Sequence, residues 1–169
     1  LQSALGISIT NNTISGNSGH GIYYDNSSIA YVPSPLPTIT YNTITGNSSY
    51  GIRLNGSHSV ATINYNNIYE NSGSYDLYSG VTYQEVDARF NYWGLTTTVI
   101  MGIASNPKNI PRIYDYHDHS LSLVNYSGWL DGVDGSPTSA VWTTGTTATA
   151  ALTNPSYTSV TWMYYESTD

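Results

Sequence analysis

One nine-residue phrase, repeated without gaps, limits what this chain can fold into. It runs Ile9-Thr10-Asn11-Asn12-Thr13-Ile14-Ser15-Gly16-Asn17, then Ile39-Thr40-Tyr41-Asn42-Thr43-Ile44-Thr45-Gly46-Asn47, then Ile63-Asn64-Tyr65-Asn66-Asn67-Ile68-Tyr69-Glu70-Asn71. A degenerate fourth copy follows, Ala88-Arg89-Phe90-Asn91-Tyr92-Trp93-Gly94. Successive copies start 30, 24 and 25 residues apart, and the extra length of the first interval falls in Ser27 to Pro37. Units of this size cannot bury a core alone, so neighbours must stack.

Within each unit the apolar residues follow no helical period. Short alternating triplets rich in Ile, Thr and Tyr are broken by Asn, Gly and Ser, which reads as strand, corner, strand. Stacking then predicts three internal ladders: Ile9, Ile39 and Ile63; Ile14, Ile44, Ile68 and Trp93; Ile22, Ile52 and Leu77. Strands that pair with the next unit rather than within their own make a parallel β-solenoid, rising about 4.8 Å per coil. Two asparagine series fall at fixed corners, Asn12, Asn42, Asn66 and Asn91 in one and Asn17, Asn47 and Asn71 in the other. Asparagine tolerates left-handed backbone, caps neighbouring amides and hydrogen-bonds to its own kind along a stack, so both series are expected to be structural ladders.

Composition narrows the partners. Among 169 residues there are 4 Lys and Arg against 11 Asp and Glu, a formal charge of −7. Four cations cannot form a phosphate-binding stripe, which argues against nucleic acid. Only 9% of residues are charged, whereas Ser, Thr and Asn number 23, 21 and 16, so the surface is one of hydroxyls and amides. The absence of cysteine excludes disulfides, thiol catalysis and Cys-based zinc sites. No apolar run approaches the roughly 18 residues of a membrane-spanning helix, so no membrane insertion is expected.

The Asn-Asn-Thr-Ile-Ser-Gly-Asn phrase and the Gly-Ile-Tyr/Arg that follows it resemble the right-handed parallel β-helix repeat proteins, the pectate-lyase-like superfold, over residues 1 to about 94. Asn91-Tyr92-Trp93-Gly94, Ile113-Tyr114-Asp115-Tyr116-His117-Asp118 and Val124-Asn125-Tyr126-Ser127-Gly128-Trp129-Leu130 are similar to the closing segment of secreted bacterial and archaeal surface proteins of that kind. The resemblance implies an all-β, right-handed parallel β-helix with a C-terminal cap over residues 95–130. Trp93 and Trp129 are large enough to cover the core end, and Asn109 with Ile110-Pro111 would start a short cap helix. Leu1 stands eight residues before Ile9, as Leu54 stands nine before Ile63, so the sequence starts mid-coil and is expected to continue a longer β-helix. Residues 131–139 read as a Gly/Pro/Ser linker. Residues 140–169 read as a Thr-rich β tail, whose Val160, Trp162 and Tyr164 mark a strand able to augment a neighbour.

Lyases of the superfold use carboxylates that hold calcium and a Lys or Arg base, and neither element carries over well. Arg53 and Arg89 are the basic residues of the coils, and Arg53 falls between Tyr23 and Tyr78 in its ladder. Asp76, Glu85 and Asp87 are weak calcium candidates, and Asp115, His117 and His119 weak metal ligands; the plain alternative for both sets is solvated turns. No two coil carboxylates share a ladder, against the paired acids of a glycosidase. Outward Tyr23, Tyr41, Tyr65, Tyr69 and Tyr78 would provide aromatic contacts for glycan or a second protomer. Five Asn-x-Ser/Thr sequons begin at Asn11, Asn26, Asn47, Asn55 and Asn125. The expectation is an extracellular structural or adhesive module without catalysis or cofactor (calcium aside), whose partners are copies of itself, a longer parent chain or polysaccharide. The alternatives are a polysaccharide lyase or hydrolase with active coils upstream, and a phage or virus fibre module.

Overall fold

The computed structural model describes residues 6–28, 30–140 and 142–143. The chain divides into two compact units, one of residues 1–103 and 109–140, the other of residues 104–108 and 141–169. In the second unit, Asn106 accepts at its carbonyl from the Thr143 amide and hydroxyl, at 2.8 and 2.7 Å. Val160, Trp162 and Tyr164 lie outside the described residues.

The first unit is a stack of coils, each strand pairing in parallel with its counterpart one coil on. β1 (Ser8–Thr10), β4 (Thr38–Thr40) and β7 (Thr62–Asn64) form one sheet, and β2 (Thr13–Ser15), β5 (Thr43–Thr45) and β8 (Asn67–Tyr69) a second. The third holds β3 (Ile22–Asp25), β6 (Ile52–Asn55), β9 (Leu77–Ser79) and β11 (Ile113–Tyr114). The registers align Ile9 with Ile39 and Ile63, Ile14 with Ile44 and Ile68, and Ile22 with Ile52 and Leu77. The amide of Ile68 donates to the carbonyl of Tyr92, which carries the second ladder on to Trp93.

The asparagine series hold the corners together. Each amide nitrogen donates to the next side-chain oxygen along the stack: Asn12 to Asn42 at 3.1 Å, Asn42 to Asn66 at 3.0 Å and Asn66 to Asn91 at 2.9 Å. The same oxygens accept backbone amides of the preceding coil, and the second N–H of Asn42, Asn66 and Asn91 reaches back to the carbonyls of Ile9, Ile39 and Ile63. The left-handed residue at this corner is not the ladder asparagine but its predecessor: Asn11, Tyr41, Tyr65 and Phe90 have φ of 57°, 57°, 58° and 60°. That frees each following asparagine to turn inward.

The second series, Asn17 to Asn47 to Asn71, ends on Asp76, whose Oδ1 accepts from Asn71 at 2.9 Å. Gly21 and Gly51 permit this series, because a Cβ on Gly51 would stand 2.7 Å from Asn71 Nδ2 and from the Asp76 carbonyl. Asp76 occupies the same register position one coil on, where its side chain takes the place a further asparagine would fill.

The closing segment departs from the sequence reading in three ways. The helix, α1, spans Leu95–Gly102 rather than starting near Asn109, where a turn at Pro111 and Arg112 leads into β11. Residues within 95–130 also supply strands, since β11 extends the third sheet and β12 (Val124–Asn125) pairs with β10 (Val86–Asp87). Residues 131–139 fold back instead of forming a free linker. Leu130 bridges Pro137 antiparallel, and Asp134 both donates to and accepts from the side chain of Asn67. Trp93, Tyr126 and Trp129 are buried in this region, where Tyr126 and Trp129 pack ring against ring.

Asn66→Ala removes three donated bonds, orphans the buried backbone amide of Asn42 and takes one acceptor from its side-chain nitrogen, so it should cost about 3 kcal/mol or more in denaturant unfolding. Asn12→Ala, at the exposed end of the same series, should cost about 1 kcal/mol or less; equal losses would contradict a cooperative ladder.

Candidate functional site

The third sheet carries the densest grouping of functional side chains. On its outer face one column runs Tyr23, Arg53, Tyr78, Tyr114 in strict register. A second column, just before the strands, holds His20, Tyr50 and Tyr75, two residues ahead of the Ile22, Ile52 and Leu77 ladder. Parallel pairing sets side chains of successive coils about 4.8 Å apart, so the rings stack along the axis. Tyr78 and Tyr114 lie 4.6 Å apart at 3°, Tyr50 and Tyr78 5.4 Å at 5°, and His20 and Tyr50 5.0 Å at 20°. Tyr75 joins at a tilt, 5.1 Å from Tyr114.

Arg53 is the cation of this face. Its guanidinium carbon lies 5.6 Å from the Tyr23 ring centre and 5.3 Å from that of Tyr78, within cation–π reach. It donates to Asn55, which in turn donates to Asp25. The Asp25 carboxylate accepts also from the Ser27 amide at 2.8 Å and the Tyr23 hydroxyl at 3.1 Å. Hydrogen bonds from Ser27, then from Tyr23 and Asn55, hold its pKa down at about 2. His20 titrates below the usual histidine value because it is partly desolvated and faces Arg53.

The five tyrosines singled out in the sequence fall on three surfaces. Tyr23 and Tyr78 belong to this face. Tyr41 and Tyr65 stack with Phe90 at the left-handed corner, at 5.3 and 5.0 Å, and Tyr69 meets Tyr92 edge-on from β8. His20, Tyr50, Tyr75 and Tyr114 were not singled out. The first three sit at the Ser-Gly-His, Ser-Ser-Tyr and Gly-Ser-Tyr punctuation, and Tyr114 is displaced from the repeat by α1.

The metal candidates are dispersed. Asp76 is buried against Arg112, which spends its Nε and one Nη2 bond on the carboxylate and its other donors on the carbonyls of Asn71, Gly73 and Ser74. Asp87 forms a two-bond pair with Arg89, and Glu85 accepts from Asn125. Asp115 is buried and accepts from the amides of His117 and Val124; desolvation pushes its pKa up. His117 is half-buried and His119 exposed on the same turn. Among the described residues no three His, Cys, Asp or Glu side chains gather to hold a metal ion. Arg53 and Arg89 lie on different surfaces, and the Asp87 pair holds Arg89 firmly protonated, raising its pKa.

A chain of stacked parallel coils with internal isoleucine and asparagine ladders is a β-helix. The family model for the right-handed β-helix region matches residues 1–91, and the chain belongs to that family. No curated protein and no solved structure matches it.

The Asp25 shift has a checkable consequence. A depressed carboxylate stabilises the fold above its unfolded pKa and loses that contribution as pH falls through the folded value. Carboxyl-carbon NMR should therefore show Asp25 ionised at pH 3, with its midpoint near 2; a midpoint near 4 would break the Ser27 and Asn55 assignment.

Proposed function

We propose that this β-solenoid is a non-catalytic structural and adhesive module working outside the cell, and that it contacts polysaccharide along the Tyr/His/Arg face of its third sheet. The observation that carries the reading is the in-register stripe of Tyr23, Arg53, Tyr78 and Tyr114, flanked by His20, Tyr50 and Tyr75. Its outer rim presents phenolic hydroxyls, an imidazole and one guanidinium on a rigid support. Such groups suit the dense hydroxyls of an extended glycan, and the conformational freedom lost on binding is small because the stacked rings are already fixed. The hydroxyl-rich, weakly charged composition supports an extracellular setting.

Affinity electrophoresis against neutral and acidic polysaccharides tests this. Arg53→Ala and Tyr114→Ala should each weaken retardation several-fold, while Tyr83→Ala, at another exposed ring, should leave it unchanged. Retardation that ignores all three substitutions, or none by the wild type, would overturn the reading. Release of unsaturated uronates that is lost in Arg53→Ala and Arg89→Ala would establish the lyase alternative instead.

End-on self-association is favoured by a separate observation. Among the described residues β1, β2 and β3 are the outer strands of their sheets, with no charged residue in β1 or β2. Ile9 and Ile14 are only half-buried there, whereas Ile39, Ile44, Ile63 and Ile68 are buried. An edge without charge invites strand addition. Electron microscopy over a concentration series should show oligomers or filaments that Ile9→Lys disperses and that removal of residues 140–169 abolishes; monodisperse wild-type particles would sink the idea.

A further inference from the structure

The fold separates the five sequons into four whose amide groups are engaged and one whose amide is not. Asn47 is buried in the second series, its Nδ2 donating to Asn71 and to the carbonyls of Ile14 and Thr45. Asn26 is buried with Nδ2 on the carbonyls of Tyr31 and His58. Asn55 spends its amide on Asp25 and accepts from Arg53, and Asn125 gives Nδ2 to Glu85 while its Oδ1 accepts from Ser127. Asn11 is exposed, stands at φ 57° and engages no side-chain hydrogen bond among the described residues. Thr13, the hydroxyl residue of the same sequon, is exposed in β2.

A second feature sits next to it. The register that pairs Thr10 with Thr40 places Asn11 over Tyr41, one coil along. Tyr41 heads the column Tyr41, Tyr65, Phe90, so one ring face lies against Tyr65 while the other points to the rung where Asn11 stands. Tyr41 is 59% exposed. A sugar joined to Asn11 would occupy the next place in that column, its apolar face on the tyrosine.

We infer that Asn11 is the N-glycan acceptor of the folded protein, with its first sugar resting on the free face of Tyr41. The donor class is an oligosaccharide on a polyprenyl diphosphate, transferred by an oligosaccharyltransferase. The Asn11 Nδ2 bond to the anomeric carbon forms as that carbon's bond to the diphosphate oxygen breaks; Nδ2 gives up one proton, and the diphosphate leaves with the electron pair. This inference rests on the extracellular reading for its biological setting but not for its geometry.

The test incubates the folded full-length chain with a sequon-specific oligosaccharyltransferase and its lipid-linked oligosaccharide, read by intact mass and peptide mapping. One addition at Asn11 is expected, absent from Asn11→Gln and from Thr13→Val, which keeps a β-branched residue in β2. A urea-unfolded sample accepting at several sequons shows that the enzyme is competent. Against that control, a folded chain unmodified at Asn11, or modified first at Asn55 or Asn125, would overturn the assignment. Tyr41→Ala should preserve occupancy but speed glycosidase trimming of the attached sugar several-fold; an unchanged rate would overturn the Tyr41 seat. Transfer in the test tube with no sugar on protein taken from its source would overturn Asn11 as a modified residue of the natural protein, while the polysaccharide-binding reading stands or falls on its own electrophoresis test.

Discussion

The carboxamide relay at the coil corners is the interaction on which the remaining structure depends. Each ladder oxygen takes two donors from the coil behind it, and each ladder nitrogen bonds both forward to the next side chain and back to a backbone carbonyl. Corners that would otherwise bury unpaired amides are thus satisfied. Because the donors and acceptors polarise one another in a buried setting, the relay fixes the register of all three sheets at once. The glycines at 21 and 51 follow from it, since any Cβ there would strike a ladder amide. So does the buried Asp76–Arg112 pair, in which an acceptor-only carboxylate receives the last forward N–H and a guanidinium balances its charge.

The tyrosines obey the same spacing. Once side chains at equivalent positions lie one strand spacing apart, planar rings fall face to face, and their faces serve one another. What remains for a ligand is the rim, except where a column ends. Tyr114 and Tyr41 are such ends, each with one ring face not taken by the neighbour it stacks on in its column. The aromatic surface is therefore a hydroxyl-bearing edge punctuated by a few flat seats, not a row of platforms.

Much of this was legible in the sequence. The gap-free phrase carries two of the apolar ladders and the residues that follow it the third, because the period is carried by residues that touch their counterparts directly, as Ile9, Ile39 and Ile63 do. The asparagine series was legible for the same reason, but the left-handed residue was misplaced by one position. Of the left-handed residues, Asn11 has the intrinsic preference, but Tyr41, Tyr65 and Phe90 do not, and ring stacking is what accompanies their conformation. The closing coil was opaque because α1 lengthens the interval between Leu77 and Ile113, so β11 and Tyr114 fall out of phase with every earlier copy. Residues 131–139 look like a linker in composition, and the Leu130–Pro137 bridge and the long-range Asn67–Asp134 pair are what distinguish them.

The relay also has a direction. Along each series one side-chain N–H points to the next side chain at higher residue number, and each side-chain oxygen that receives it faces the lower-numbered coil. The two ends of the stack are consequently not interchangeable. Asp76 closes one series with pure acceptor character, whereas Asn12 and Asn17 enter the two series as donors to the next side chain. Two such series set end to end keep their bonding only when both run the same way, because a reversed copy would set oxygen against oxygen. The direction of the β-helix is written into the orientation of a handful of amides.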